Sequence, residues 1–210
     1  MREPTQAEIT RRYERLAPVY DLYDLPMELL VYHRRRRRLL QQATGRALEV
    51  GIGTGRNLPH YPPGVALTGI DVAPRMLART ERRARKLGVP VRLSPADVRH
   101  LPFPDDAFDT AAATFVFCSV ADPVEGLREL GRVVKPDGLI LLLEHVRPRN
   151  PLLGRLADLL TPLVRHLFGF ALNRQTEENI ERAGLTFEPI GRSGIWREIQ
   201  ARPSHEGRLR

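Results

Sequence analysis

Hydrophobic and polar positions alternate along the chain with two different periods. Short apolar runs that predict strands are separated by longer stretches with apolar residues at helical spacing. The predicted strands cover residues 47–50, 65–70, 89–93, 108–114, 139–143, 185–190 and 194–201. The predicted helices cover residues 5–17, 26–43, 74–87, 123–133 and 174–183. Strands and helices in this order predict an α/β fold, in which a doubly wound, mostly parallel sheet carries helices on both faces.

Two segments depart from this alternation. Residues 1–44 contain only helical patterns, so we predict an N-terminal helical cap there and a main domain over residues 45–210. Residues 146–172 are unusually rich in leucine and phenylalanine. Pro151 suits the start of a helix, and Pro162 is expected to interrupt it. This segment is either ordinary core packing or an apolar, lid-like insertion over a greasy ligand.

The composition is that of an ordinary globular protein. The chain has 210 residues, of which 42% are hydrophobic and 28% are charged, so a packed core is expected rather than disorder. A single cysteine excludes a disulfide framework and a thiolate metal cluster. Residues 1–4 are too polar for a secretory leader, and no apolar run approaches the ~18 residues of a membrane span. We therefore expect a cytoplasmic protein.

The net charge of +8 and the sequence pI of about 10.5 favour partners that carry phosphate, either nucleic acid or anionic lipid headgroups. Five consecutive arginines, Arg34 to Arg38, lie on a predicted helix. They form either a solvated helix face, which we favour, or a patch for an anionic membrane. Nucleic acid is the weaker alternative, because no aromatic residues are interleaved with the basic ones to stack on bases. A membrane patch would place the protein peripherally at the inner membrane face.

A glycine-rich turn follows the first predicted strand. Gly51, Gly53 and Gly55 have no Cβ atoms, so a ligand can approach the backbone closely there. Asp71 lies 18 residues beyond Gly53, at the end of the second predicted strand, where a carboxylate can accept hydrogen bonds from ribose hydroxyls. Together, these residues favour a nucleoside ligand over a plain tight turn. The ligand is then a dinucleotide or an adenosine attached to another group.

Two features favour the adenosine alternative. Gly55 comes one residue earlier than the third glycine of the dinucleotide fingerprint. Glu49 places a carboxylate just before the turn, which would repel a pyrophosphate but suits a cationic ligand. S-adenosylmethionine is such a ligand, because it carries an ammonium and a sulfonium group. Asp97 follows the third predicted strand, where it can accept a hydrogen bond from the adenine amino group.

These positions resemble the successive motifs of class I S-adenosylmethionine-dependent methyltransferases. The resemblance rests on Asp71, Asp97 and residues 49–55, 101–109 and 127–138. It departs from the family pattern at Asp137, where a glycine is usual, in a loop that we expect to be structural. The resemblance implies a Rossmann-like fold, S-adenosylmethionine as the methyl donor and S-adenosylhomocysteine as the product.

The resemblance also assigns parts of the cofactor to residues of this chain. Glu49 and the glycine turn are expected to hold the methionine part, and Asp71 the ribose. Asp97 and Val98 are expected to hold the adenine, and Tyr20 to close over the cofactor. The complete predicted cofactor site is Tyr20, Glu49, Gly51, Gly53, Gly55, Asn57, Asp71, Val72, Met76, Asp97, Val98, Thr114 and Phe115.

A narrower resemblance covers nearly the whole chain. Residues 13–21 resemble the opening of the ubiquinone/menaquinone methyltransferase-like group. Residues 114–120, 144–148, 173–177 and 193–196 are similar to segments of soluble bacterial phosphatidylethanolamine N-methyltransferases and of related animal thiol methyltransferases. We predict a phospholipid N-methyltransferase that acts at the membrane surface. The alternatives are a methyltransferase for a quinone, a thiol or another small apolar acceptor, and a non-enzymatic nucleotide-binding scaffold.

Three residues are predicted to act in catalysis: Tyr20, His145 and Arg147. His145 is either a base that accepts the proton of an amine acceptor or a structural hydrogen-bond partner, and Arg147 can bind a phosphate through two hydrogen bonds. Cys118 is expected to be a buried small hydrophobe. The other histidines show no metal-ligand spacing, so no metal is predicted. They are His33, His60, His100, His166 and His205.

Overall fold

The chain folds around one mixed sheet, described here from a computed structural model that covers residues 5–148, 150–168 and 170–204, without the side chains of residues 23, 24 and 165–168. The strands are β1 (Arg46–Val50), β2 (Ala66–Asp71), β3 (Val91–Pro95), β4 (Phe108–Thr114), β5 (Val134–His145), β6 (Leu185–Ser193) and β7 (Trp196–Pro203). The helices are α1 (Gln6–Leu16), α2 (Tyr20–Met27), α3 (His33–Leu40), α4 (Pro74–Leu87), α5 (Pro123–Val133), α6 (Pro151–Phe168) and α7 (Thr176–Arg182), with a π turn (Glu28–Tyr32) and a 3₁₀ turn (Leu58–His60). The polar residues 1–4, His205 and the side chain of His166 lie outside the described part.

The strand order is β3-β2-β1-β4-β5-β7-β6. The strands β1 to β5 pair in parallel, and β7 pairs antiparallel with both β5 and β6. This confirms the predicted α/β class and the mostly parallel sheet. The chain leaves β1 towards β3 on one side and returns to β4 on the other, so the order reverses between β1 and β4. Ligands of such sheets bind at the carboxyl ends of the strands beside this switch point.

Local signals set the boundaries of the helices next to this point. α4 begins at Pro74, whose missing N–H is not needed in a first helical turn, and it ends at Gly88 with a left-handed φ of +66°. α5 follows Asp122, whose carboxylate accepts hydrogen bonds from the backbone N–H groups of Val124 and Glu125. The bounds of α4, α5 and β4 are those predicted from the sequence.

The second helix of the cap differs from its prediction. The helix expected over residues 26–43 is wrong at its start, because α2 already begins at Tyr20 and Pro26 lies inside it. The π turn follows directly, and α3 then continues to Leu40. A π turn inserts one residue into the helical repeat, and such an insertion cannot be recognised from the spacing of hydrophobic residues. The division between a cap and a main domain stays a prediction.

Within the apolar segment 146–172, one continuous helix forms, α6 (Pro151–Phe168). The expectation that Pro162 interrupts this helix is wrong. Pro162 is exposed, so water can replace the backbone hydrogen bond that its ring removes. Several leucines of α6 also face solvent, among them Leu152 and Leu159, each 75% exposed. The helix therefore presents a hydrophobic surface that the described part of the chain does not cover.

The two faces of β5 show how helices cover the sheet. Leu142 packs in the same cluster as Leu127 of α5, whereas Leu141 packs with Leu39 and Leu40 of α3. Because alternate residues of a strand point to opposite faces, α3 and α5 lie on opposite sides of the sheet. The cap helix α3 is thus part of the hydrophobic core. Among the described helices, none is both long and apolar enough to cross a membrane.

Candidate active site

A cavity opens at the carboxyl ends of β1, β2 and β4, which is where ligands bind in sheets of this kind. Nine residues of the predicted cofactor site line it: Tyr20, Gly51, Gly53, Asp71, Val72, Met76, Val98, Thr114 and Phe115. The fold thus brings most of the predicted positions together at the switch point of the sheet.

The glycine turn forms one wall of this cavity. Gly51 has a left-handed φ of +58°, and a Cβ atom at this position would lie 2.6 Å from Cγ2 of Val116. A side chain here would therefore both strain the backbone and collide with the cavity wall. Two residues further on, the backbone N–H of Gly53 donates a hydrogen bond of 2.9 Å to Oδ2 of Asp71. The turn is thereby fixed to the end of β2.

Asp71 presents a buried carboxylate to the cavity. Its Oδ1 accepts a hydrogen bond of 2.9 Å from the backbone N–H of Ala73, and Oδ2 accepts the one from Gly53. Each carboxylate oxygen still has a second lone pair that can accept from a ligand hydroxyl. Burial raises the pKa of Asp71 to about 6, against the effect of the backbone hydrogen bonds. Asp71 is therefore mainly ionised at neutral pH.

Glu49 lies behind the glycine turn and is only 1% exposed. Its Oε1 accepts a hydrogen bond of 2.8 Å from Nδ2 of Asn57. The Tyr61 hydroxyl is the neighbour of this buried carboxyl on its other side, and it lowers the pKa of Glu49. Burial raises the pKa of Glu49 to about 7, which the Asn57 amide opposes. A buried carboxyl behind the glycine turn adds negative charge close to the cavity, which suits a cationic ligand.

Arg36 is a functional candidate that the sequence reasoning missed. It lies in the five-arginine run yet is only 5% exposed. Its Nη1 donates to Oδ1 of Asn57 at 2.9 Å and to Oγ1 of Thr114 at 2.6 Å, and its Nε donates to Oε2 of Glu28 at 3.0 Å. A buried polar chain therefore connects Glu28 through Arg36 and Asn57 to Glu49. The spacing of residues along the helix could have indicated this burial. Arg36 precedes the buried Leu39 by three residues and therefore lies on the same face of α3.

The neighbouring arginines are also engaged. Nη1 of Arg35 lies 2.7 Å from Oε1 of Glu198, and Nε of Arg38 lies 2.6 Å from Oε2 of the same carboxylate. Glu198 belongs to β7 and has no exposed surface. The expectation of one solvated face over Arg34 to Arg38 is therefore wrong, because buried acids on other elements bind three of the five. Arg34 and Arg37 are exposed.

The outer wall of the cavity comes from α1. Gln6, Ile9 and Tyr13 line it, and the Tyr13 hydroxyl shares a hydrogen bond of 2.7 Å with Oγ of Ser119. None of these residues was predicted from the sequence, although residues 13–21 carried the narrower resemblance. In the described part of the chain, α1 covers the cavity, and the role of residues 146–172 as a lid stays a prediction.

Asp21 holds the start of α2 against the glycine turn. Its Oδ1 accepts a hydrogen bond of 2.7 Å from the Thr54 hydroxyl, and its Oδ2 lies 3.1 Å from Arg79 and 2.9 Å from Arg83. Burial alone would raise the pKa of Asp21, but the Thr54 hydroxyl and the guanidinium groups hold it below its ordinary value. This anchor positions Tyr20, the preceding residue, in the cavity wall.

Phe115 enters the wall with an unusual backbone. Its φ is +60°, a left-handed value that is strained for an aromatic residue. Its N–H donates to the Leu143 carbonyl at 2.8 Å. The next two N–H groups, of Val116 and Phe117, donate to Oε1 of the buried Glu144 at 2.8 and 3.0 Å. β5 therefore holds the strained segment that follows β4 in place.

Four predicted cofactor residues lie beside the cavity rather than in its wall. They are Glu49, Gly55, Asn57 and Asp97. The Asp97 carboxylate accepts hydrogen bonds from Arg99, at 3.0 Å from its backbone N–H and 2.7 Å from Nη2, while Ala96 and Val98 line the cavity. The hydrogen bond from Asp97 to adenine therefore stays a prediction.

The two predicted catalytic residues after β5 do not line the cavity either. Nε2 of His145 donates to the Ala171 carbonyl at 2.8 Å, and burial lowers the pKa of this histidine. Arg147 forms an exposed ion pair with Asp158, in which Nη2 lies 2.8 Å from Oδ2. Their roles in catalysis stay predictions. Cys118 is buried, and burial raises its pKa well above the ordinary value, so it is a neutral thiol.

Comparison with known proteins shows the family of this chain. A family model described as a methyltransferase domain matches residues 48–142. Phosphatidylethanolamine N-methyltransferase of Cereibacter sphaeroides is 38% identical over 149 residues, which cover 69% of this chain and 71% of the relative. Demethylmenaquinone methyltransferase of Thermus thermophilus is also 38% identical over 149 residues, which cover 68% of each. A solved S-adenosylmethionine-dependent methyltransferase of Thermotoga maritima has the same fold, with a TM-score of 0.71, 20% identity and coverage of 93% of this chain and 100% of the other.

The chain belongs to the class I S-adenosylmethionine-dependent methyltransferases. S-adenosylmethionine is its methyl donor, as predicted, and it supplies a methyl group already activated by a sulfonium. The cavity fits this cofactor in two respects: a turn that a Cβ would obstruct and the buried Asp71 carboxylate. The acceptor of the methyl group is a separate question.

Replacing Asp71 with alanine is expected to weaken the binding of S-adenosylmethionine by about 1–3 kcal/mol, or about 5- to 150-fold. The variant loses the acceptors assigned to the ribose and the hydrogen bond that fixes the glycine turn. Isothermal titration calorimetry measures the effect directly. Asp105→Ala, at an exposed position outside the cavity wall, is the matched control. Wild-type affinity in the Asp71 variant would refute the ribose assignment.

Proposed function

We propose that this enzyme methylates the amino group of phosphatidylethanolamine at a membrane surface. The observation that carries the proposal is the aromatic wall of the cavity, which combines Tyr13, Tyr20 and Phe115 with the carboxylate of Asp71. A relative that is 38% identical is named for this reaction. A free lipid amine or its methylated form carries positive charge in water, and such a wall suits cations.

The aromatic side chains are placed to act together. The ring centroids of Tyr13 and Tyr20 lie 6.4 Å apart, and the planes are tilted by 54°. Aromatic faces attract alkylammonium groups, by about 2 kcal/mol or more where water is excluded. The same faces suit the sulfonium of the cofactor. We infer that they align the acceptor nitrogen with the activated methyl group, which is the main task in a displacement of this kind.

The acceptor nitrogen must lose a proton so that its lone pair is available. Burial raises the pKa of Tyr13 well above the ordinary value, against a hydrogen bond from Ser119. Tyr13 is therefore a neutral phenol, which can orient an amine but is a poor base. His145 lies outside the cavity wall, so we propose that water accepts this proton. The residues of the chain then supply alignment and exclusion of solvent.

Exposed leucines support contact with lipid. Leu22, Leu29 and Leu30 of α2 and the π turn are 74%, 71% and 80% exposed, and six leucines of α6 are also exposed. Arg34 and Arg37 lie on the next helix and are open to solvent. Apolar residues beside exposed cations are typical of helices that lie in the headgroup region of an anionic membrane. We propose that these surfaces hold the enzyme at its substrate.

A quinone ring is the second candidate acceptor. The Thermus thermophilus relative is as similar as the phospholipid enzyme and is named for demethylmenaquinone. The apolar side chains Ile9, Val116 and Val120 line part of the cavity and would suit such a ring. A thiol or another small apolar acceptor fits the same wall. The acceptor assay therefore includes all of these classes.

Purified enzyme with methyl-labelled S-adenosylmethionine tests the acceptor. We expect label in phospholipid when vesicles contain phosphatidylethanolamine, and none in vesicles of phosphatidylglycerol alone. Asp71→Ala is the control for dependence on cofactor binding. Label in a demethylmenaquinone analogue or a thiol, with none in phosphatidylethanolamine, would refute the phospholipid assignment and leave the methyltransferase class intact.

Replacing Leu152 and Leu159 with glutamate is expected to weaken binding to anionic vesicles. Each exposed leucine that enters the membrane contributes about 1–2 kcal/mol, so the loss is about 5- to 30-fold per residue. Sedimentation with vesicles measures it. Leu87→Glu is the matched control, because Leu87 is 45% exposed at the end of α4. Equal vesicle binding by all variants would contradict the assignment of α6 to the membrane.

A further inference from the structure

We propose that Glu28, His33 and His60 form a binding site for a divalent cation of the zinc type. The three residues come from the π turn, the first position of α3 and the last position of the 3₁₀ turn. One potential ligand atom from each lies within 4.8 Å of the other two. This site is separate from the methyl-transfer site, where S-adenosylmethionine supplies the methyl group.

The ligand atoms of the three residues are near enough for one ion to bind all of them. Zinc binds imidazole nitrogen at about 2.0–2.1 Å and carboxylate oxygen at about 2.0–2.2 Å, so its tetrahedral ligands lie about 3.3–3.6 Å apart. The rings of His33 and His60 lie edge to face, with centroids 4.8 Å apart and planes inclined at 74°. We infer that rotation of these side chains brings the ligand atoms to zinc distances when an ion binds.

The donor set determines the class of ion. Two imidazoles and one carboxylate favour zinc, cobalt or nickel over magnesium and calcium, which prefer oxygen alone. His60 is buried beside Glu28 and His33, so its ring can present a nitrogen to an ion that these side chains share. His33 is exposed, which gives an ion a path from solvent. Water would complete the coordination on that side.

Arg36 supports the carboxylate ligand. Its Nε donates to Oε2 of Glu28 at 3.0 Å, which leaves Oε1 to bind the ion. Hydrogen bonds of this kind orient metal ligands and accompany most metal sites in proteins. The positive charges of Arg36 and Arg37 also repel a cation, while the Glu28 carboxylate attracts it. We therefore expect binding in the micromolar range rather than tighter.

The ligands lie on both sides of the glycine turn in the sequence. His60 follows β1 and the turn, whereas Glu28 and His33 precede them. A bound ion would therefore cross-link the helices before β1 to the segment that follows the glycine turn. Through Arg36, the Glu28 ligand connects to Asn57 and Thr114.

Titration of chelator-treated enzyme with Co²⁺ tests the site without any measurement of methyl transfer. We expect a saturable visible d–d spectrum, its displacement by Zn²⁺, and a higher melting temperature with Zn²⁺. His33→Ala is expected to lower the affinity at least tenfold. Because His33 is exposed, this variant is expected to keep its fold, which circular dichroism checks. His100→Ala, another exposed histidine, is the matched control and should bind as the wild type does.

Two results would overturn the proposal. One is the absence of a saturable Co²⁺ spectrum in the folded wild-type enzyme. The other is equal Co²⁺ affinity in the wild type, His33→Ala and a second variant, His60→Gln, which would place the ion elsewhere. Either result leaves the proposed acceptor untouched, because the labelled-lipid assay is run without added metal.

Discussion

Arg36→Ala will lower the free energy of unfolding by about 3–5 kcal/mol. The substitution leaves the buried carboxylate of Glu28 without its ion pair and removes the donors that Asn57 and Thr114 accept from. It also removes a guanidinium that lies 5.2 Å from the centre of the Phe115 ring. An uncompensated buried charge is among the most destabilising results of a single substitution. Urea denaturation of the metal-free protein measures the loss.

Arg34→Ala is the matched control for this prediction. Arg34 lies two residues earlier on the same helix and is exposed, so its loss should change stability by less than about 0.5 kcal/mol. Arg36→Lys is expected to fall between the two, because lysine keeps the charge but cannot make three hydrogen bonds with the same geometry. Equal stability of the Arg34 and Arg36 variants would show that the buried polar chain does not stabilise the fold.

Glu144 makes the stability of the enzyme depend on pH near neutrality. Its side chain is fully buried, and burial raises its pKa from about 4.5 to about 7, against the hydrogen bonds from Phe117 and Val116. A carboxyl group whose pKa is raised by folding makes its full contribution to stability below the pKa that it has in the unfolded chain. This contribution is lost as the pH rises to the pKa of the folded state. Here the loss falls between about pH 4.5 and pH 7.

The expected size of this effect is about 2–3 kcal/mol between about pH 5 and pH 8. The difference in unfolding free energy between wild type and Glu144→Gln isolates it, because other titrating groups contribute equally to both proteins. As the pH rises, the wild type should become less stable relative to Glu144→Gln. Urea denaturation at several pH values measures it, and Glu188→Gln, at an exposed position of β6, is the matched control. A difference that does not change with pH in the Glu144 variant would contradict the prediction.

The parts of the site that could be predicted are those where a local requirement selects the residue type. Gly51 must be glycine because its φ is +58° and a Cβ would meet Val116. Asp71 stands at the end of β2, where an acid can face a ribose and hold the turn. The helix bounds at Pro74 and Gly88 follow in the same way from backbone chemistry. Such signals are visible in the sequence because they do not depend on distant residues.

The remaining features depend on contacts between distant segments. Arg36 has the same residue type as its exposed neighbours, and its burial follows from Glu28, Asn57 and Thr114, which lie on three other segments. Likewise, His33 and His60 show no metal spacing in the sequence, and only the fold brings them together. Tyr13 enters the cavity because α1 packs over it. The spacing of hydrophobic residues does not show which helix will cover a cavity.

The position of α1 has a consequence for how the enzyme responds to its cofactor. An isolated helix of eleven residues is marginal in water, so α1 depends on the surface on which it packs. S-adenosylmethionine in the cavity beside Ile9 and Tyr13 adds to that surface. We therefore expect the amide protons of α1 to exchange with deuterium more slowly when the cofactor is bound. Deuterium exchange in α1 would thus show whether a site formed mainly by β1, β2 and β4 is occupied.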